Sequence, residues 1–143
     1  MTMRLVMAGM LAISASAAAG YLHRPHVDVA ERAASCRTVD GDTLNCDGER
    51  IRLNGIDAPE MPGHCRVGRA CVPGDPFASR DHLRQGVDRG NIEITRLKTD
   101  RYGRTVAEVT ADGIDLSCYQ IGDGNAIYVR RWDEGGRTNT ACE

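Results

Sequence analysis

A chain of 143 residues and 15.5 kDa, 41% hydrophobic, 27% charged and 4% aromatic, holds one domain and hardly a second. Gly and Pro do not dominate, and no apolar run reaches the ~18 residues of a spanning helix, which argues against disordered, collagen-like and polytopic membrane classes. A formal net charge of −2 and a pI near 6.1 argue against a strong non-specific grip on polyanions through bulk electrostatics.

Residues 1–19 carry one charge at Arg4, an apolar stretch from Leu5 to Ile13 and small residues up to Ala19, the pattern of a secretory signal peptide. Its removal would leave the chain at −3. Residues 20–33 are mixed in charge and contain Pro25, so they read as a leader before a domain spanning 34–131 and a tail at 132–143. Within the domain, Cys36 to Val39 and Thr43 to Asp47 flank Asp40-Gly41-Asp42 as a hairpin. Asp47-Gly48 then turns the chain into a third strand, Arg50 to Ile56.

Pro62 to Gly74 is a long Gly-, Pro- and Arg-containing loop whose Arg66 and Arg69 read as solvated rim residues. Asp75-Pro76 offers a capping carboxylate and a first-turn proline, which predicts a helix to about Gln85. Asn91 to Leu97 and Arg104 to Thr110 alternate as strands four and five around the Asp100-Arg101-Tyr102-Gly103 turn. Ile114, Cys118 and Ile121 recur at helical spacing, predicting a short second helix. The tail, with Gly135-Gly136 and Thr138-Asn139-Thr140, offers little for a third. The expected fold is α+β: a five-stranded barrel of the OB type with two or three helices.

Six cysteines in an exported chain read as disulfides, and no C-x-x-C pair favours a metal or redox site. Cys36 and Cys46 are symmetric about Gly41 and so face one another across the hairpin. Cys65 with Cys71 closes the long loop, which leaves Cys118 for Cys142, one of 15 pairings that six cysteines allow.

The chemistry lies in acids at strand ends. Asp40, Asp42, Asp57 and Glu60 are each good turn residues taken singly, but together they would repel one another unless a hard cation intervened. Arg52 and Arg104 would add two planar forks suited to phosphate oxygens. In order, the motifs are Val39-Asp40-Gly41-Asp42-Thr43, Ile51-Arg52-Leu53, Ile56-Asp57-Ala58-Pro59-Glu60 and Thr99-Asp100-Arg101-Tyr102-Gly103-Arg104. This series resembles the staphylococcal nuclease (thermonuclease) family over roughly residues 34–130.

The signal segment and the cysteines imply a secreted or periplasmic protein without stable membrane association once processed, and a chain of this size needs no partner to bury a core, so a monomer is expected; the resemblance implies a calcium-dependent endonuclease that hydrolyses DNA and RNA. On that reading Asp42, Asp57 and the main-chain oxygen of Ala58 bind one calcium ion, and Asp40 is a supporting acid. Glu60 holds or deprotonates the attacking water, and Arg52 and Arg104 contact the scissile phosphate. Tyr102 and Tyr128 line the nucleotide site. The alternatives are a catalytically inert OB-type module binding nucleic acid or another partner, and a small disulfide protein acting by surface recognition. The complete set of acids and arginines favours the enzyme.

Overall fold

The computed structural model describes residues 28–33 and 35–143; the expected signal segment and residues 20–27 of the leader lie outside the described residues. Among the described residues the α+β fold has nine strands and three α-helices, the upper end of the two or three helices expected, with short strands added beside the five expected. The expected first hairpin forms as β2 (Cys36–Thr38) and β3 (Thr43–Cys46), followed by β4 (Glu49–Leu53). The third expected strand then breaks at Asn54-Gly55, because Gly55 turns with φ +72° beside the side chain of Thr138. The chain resumes as β5 (Ile56–Asp57), which pairs with β9 (Ile127–Tyr128) in a separate ribbon.

Helix α1 (Pro76–Val87) starts as the sequence indicates, with the Asp75 carboxylate accepting from the N–H groups of Phe77 at 2.9 Å and Ala78 at 3.2 Å. It runs two residues past Gln85 because Ser79, Leu83, Gly86 and Val87 form one buried stripe. Gly86 lets α2 (Leu116–Gly122) approach, since a Cβ there would lie 2.9 Å from Leu116 Cδ2. Ile114 is not helical: with Asp115 it forms β8, and the Asp115 side chain caps α2 through Cys118 N–H at 2.9 Å.

The main sheet runs β1-β6-β7-β4-β3-β2, where β6 is Ile92–Thr99 and β7 is Thr105–Ala111, and β8 adds to β7. Strand β1 (Glu31–Arg32) pairs with β6, so the end of the expected leader belongs to the sheet. All pairings are antiparallel except β4 with β7. The sheet curls into the half-barrel of an OB-type fold around Leu44, Ile51, Leu53, Ile94 and Val109, closed by Leu83 and Leu116 from the helices.

The tail corrects the expectation of an irregular end. Two 3-10 turns, Arg130–Trp132 and Glu134–Gly136, lead into α3 (Arg137–Ala141). Its first N–H groups are met from a distance: the Asp133 carboxylate accepts from Thr138 and Asn139, both at 3.0 Å, and from the buried Asn54 amide at 2.8 Å. Disulfides join Cys36 to Cys46, Cys65 to Cys71 and Cys118 to Cys142, the pairing expected from hairpin symmetry and loop closure. Among the described residues no helix is long and apolar enough to cross a membrane.

Candidate active site

The one parallel pairing sets the site. Its register places Arg52 opposite Val106, and Arg104 lies two residues before Val106, so the alternation of a strand sends Arg50, Arg52, Arg104 and Val106 to one face. All four line an open cleft of about 1060 Å³, together with Asp40 and Glu60. Arg52 and Arg104, 52 residues apart in sequence, therefore meet at one mouth.

Beneath the cleft two carboxylates are almost sealed, with Asp42 at 3% and Asp57 at 5% exposure. Asp42 ends the first hairpin turn, where its N–H bonds Asp40 Oδ1 at 3.2 Å. Its own carboxylate accepts from Thr43 Oγ1 at 3.0 Å, from Ala58 N–H at 2.9 Å and from Arg52 Nη1. Burial pushes its carboxyl up to about 7, with Asp40 adding to the rise, while Arg52 and the Ala58 N–H oppose it. The turn fits this place only with glycine at its centre, since a Cβ on Gly41 would lie 2.0 Å from Ser79 Oγ and 2.7 Å from Ala58 Cβ.

Arg52 bridges the two acids. Its Nη2 donates to the Ile56 carbonyl at 3.0 Å and to Asp57 Oδ1 at 3.2 Å, while Nη1 holds Asp42. A second guanidinium lies across Asp57: Arg69 Nη2 donates to both carboxylate oxygens at 2.9 and 2.8 Å, and Nη1 reaches Glu60 Oε1 at 2.6 Å. Arg104 is fixed by its own turn, where Asp100 accepts from Arg104 Nε at 2.8 Å and from the N–H groups of Tyr102 and Arg104. These bonds hold the Asp100 carboxyl below its ordinary value despite a burial effect in the other direction.

Tyr102 stands half exposed at the rim, its ring within 4.8 Å of the Arg66 and Arg101 guanidiniums and 5.3 Å of that of Arg104. Tyr128 does not join it. From β9 it lines a neighbouring hollow with Arg130, and its hydroxyl donates to Asp133 at 2.9 Å. The aromatic side chain at that end of the cleft is Trp132, with Arg52 5.5 Å and Arg69 5.8 Å from the ring centre.

The structure thus gathers Asp40, Arg52, Glu60, Tyr102 and Arg104 around one cleft, with Asp42 and Asp57 beneath it, Ala58 tied to Asp42 through its N–H, and Tyr128 outside. Sequence reasoning read Arg69 as a solvated rim residue, whereas it is bound to Asp57 and Glu60, and it passed over Trp132. The pairing of Arg69 with acids nine and twelve residues away depends on how the closed loop folds back, and composition does not encode that. It also underrated the local charge: seven arginines and Lys98 line the cleft against Asp40, Glu60 and Asp100, although the whole chain is mildly acidic.

Comparison with known proteins finds relatives over part of the chain. The chain is 34% identical over 99 residues to the succinoglycan biosynthesis protein ExoI of Rhizobium meliloti (strain 1021), covering 62% of this chain and 48% of that protein. It is 30% identical over 102 residues to an uncharacterized endonuclease of Escherichia coli O157:H7, covering 68% and 60% respectively. It is 35% identical over 86 residues to a micrococcal nuclease of Shigella flexneri, covering 56% and 42%. The chain therefore spans about half the length of these relatives. With residues 50–142 matching the staphylococcal nuclease homologue family, the span that holds Arg52, Asp57, Glu60 and Arg104, the chain belongs to that family.

Proposed function

We propose that this protein is a metal-dependent nuclease that hydrolyses phosphodiester bonds in DNA and RNA, with calcium as its cation. The observation that carries this reading is the pair of sealed carboxylates, Asp42 and Asp57, bridged by Arg52 beneath a cleft rich in arginine. Their donor set is hard oxygen, the ligand type that calcium and magnesium take, and in the absence of an ion Arg52 and Arg69 balance the two charges. Asp42, Asp57 and the Ala58 main chain would hold the ion, with Asp40 in support; when bound, the ion would supply Lewis-acid polarisation of a phosphate oxygen. Arg52 and Arg104 would bind the phosphate and stabilise the charge that develops on its oxygens. Glu60 would orient and deprotonate the attacking water, with its pair to Arg69 released. Tyr102 would form the rim of the nucleotide site, and Tyr128 would act there only if substrate extends into the neighbouring hollow.

The same reading places the protein in the periplasm or the medium as a monomer, its first 19 residues removed; three disulfides suit an oxidising compartment. Plasmid nicking in calcium, in chelator and with Glu60→Gln tests the activity. Calcium-dependent nicking, lost in the variant and in chelator, is the expected result. Equal inactivity of the folded wild type and the variant, with retained binding to DNA, would replace the enzyme by an OB-type binding module.

A further inference from the structure

The loop from residue 62 to residue 74 carries no helix or strand, and residues 62–70 are exposed. Yet its Arg69 makes the densest set of contacts to the acids of the site. One guanidinium takes both oxygens of Asp57 and one oxygen of Glu60, at 2.6 to 2.9 Å. The Cys65–Cys71 disulfide closes the loop around it, and the Arg69 N–H donates to the Arg66 carbonyl at 3.1 Å, a turn that aims the side chain inward. On the far side the guanidinium lies 5.8 Å from the Trp132 ring. Its neighbours hold its own ionisation above the ordinary value, the Asp57 hydrogen bonds foremost, so it remains a cation at every working pH.

A fixed positive group on Asp57 and a divalent ion cannot share that carboxylate at full strength, because they repel one another and compete for the same oxygens. The short closed loop also holds the guanidinium at high effective concentration next to the acids. We propose that Arg69 is a tethered counter-ion that occupies the gap between Asp57 and Glu60, and that it must swing out before a divalent cation binds, with the Cys65–Cys71 bridge setting how firmly it stays. The proposal rests on the cation site described above and adds a control on it. Arg69 withholds the site and neutralises Glu60 until cation supply is high, and the closed loop keeps it within reach of both acids.

The energetic logic is that of a competent state populated part of the time: a site open for one tenth of the time binds its ligand about tenfold more weakly. Calcium titration by calorimetry, without nucleic acid, compares the wild type, Arg69→Gln and a Cys65→Ser, Cys71→Ser double variant. Calcium is expected to bind about tenfold more tightly to Arg69→Gln and about threefold more tightly to the double variant, which keeps every charge but frees the loop. Trp132 is the only tryptophan of the chain, so its fluorescence follows the departure of Arg69. A calcium-induced change is expected in the wild type and a much smaller one in Arg69→Gln.

Unchanged or weaker calcium binding in Arg69→Gln would overturn the proposal, because Arg69 would then be ordering Asp57 and not competing for it. Nicking of a plasmid by the same samples at saturating calcium separates the two readings. A wild type that cuts while the variant gains no affinity removes the counter-ion role and leaves the nuclease standing. Absence of both calcium binding and cutting in all three proteins removes both.

Discussion

Arg52 and Asp42 form a buried ion pair across neighbouring strands, with Arg52 opposite Thr43 in register and Asp42 one residue before it. The same guanidinium also holds Asp57 and the Ile56 carbonyl. Arg52→Ala would leave two sealed carboxylates without their shared partner, so a loss of about 3 kcal/mol in stability is expected. Cleavage should fall by at least about a hundredfold, since a charged donor to the transition state is also gone. Arg52→Lys should recover part of the stability and little of the activity, because an ammonium cannot span both acids. Urea denaturation and plasmid nicking on the three proteins measure the two effects separately.

Gly41→Ala should be among the most damaging single-methyl changes. The added carbon would lie 2.0 Å from Ser79 Oγ and 2.7 Å from Ala58 Cβ, where α1 and the Asp57-Ala58 segment close on the turn. The Gln120 amide also donates to the Gly41 carbonyl at 2.6 Å, so the turn cannot lift away without stranding a buried polar group. A loss of about 1–3 kcal/mol is expected by thermal unfolding, with calcium affinity reduced because Asp42 shifts. Intact calcium affinity in the variant would show that the turn relaxes without moving the carboxylate.

Removing the Cys118–Cys142 bridge, as a double serine variant, should destabilise the fold by about 3 kcal/mol, with the melting temperature lowered by roughly 10 °C. The closed segment spans 24 residues and ties α3 back to α2, while Thr138 stays buried through its hydrogen bonds to Asn54. Differential scanning calorimetry in oxidising buffer reads this directly. Activity at 25 °C should change little, because Asp42, Arg52, Asp57, Glu60 and Arg104 all lie outside the closed segment.

Asp42 makes stability depend on pH in an unusual sense. Its folded value of about 7 lies above the ordinary 3.8, so the folded, cation-free protein keeps a proton that the unfolded chain has released. That contribution is fully present below the ordinary value and is lost as pH rises through about 7. Asp100, Asp133 and Glu49 act in the opposite sense: their depressed values add stability above the ordinary carboxylate range, which disappears as pH falls below it. Cation-free melting temperatures should therefore peak near about pH 5 and decline on both sides. Calcium should raise them more at pH 8 than at pH 5, since protons compete for Asp42, and Asp42→Asn should reduce the decline on the alkaline side, leaving the share of Asp115, whose carboxyl burial also raises.

Local features of the chain were the ones legible in sequence. The Asp-Gly turn, the Asp75-Pro76 helix start and the pairing of Cys36 with Cys46 depend on neighbours within about ten residues, and each appears where the pattern placed it. The motif series likewise named residues that the fold gathers, because Arg52 lies in β4 and Arg104 directly before its neighbour β7. What escaped were effects at long range. Helix α3 is held because Asp133 accepts from its Thr138 and Asn139 N–H groups while the Asn54 amide, some eighty residues away, donates to Asp133 and to Thr138 Oγ1. The break at Gly55 answers to Thr138, and the inward turn of Arg69 answers to Asp57 and Glu60. No short window of sequence contains Asn54 with Asp133 or Gly55 with Thr138, and although Arg69 is nearer to its acids, the direction of its side chain depends on how the closed loop folds back.

The arginine-lined mouth has a consequence for how the molecule travels. Apart from the residues lining the cleft, the described residues carry seventeen acidic and eight basic side chains, so an approaching polyanion is repelled from the rest of the surface and drawn to the cleft. Such a particle behaves as a dipole that rotates before it docks. An anionic wall or resin would pin it face down and silence it, whereas a cationic support would hold it by the back with its mouth open to solution.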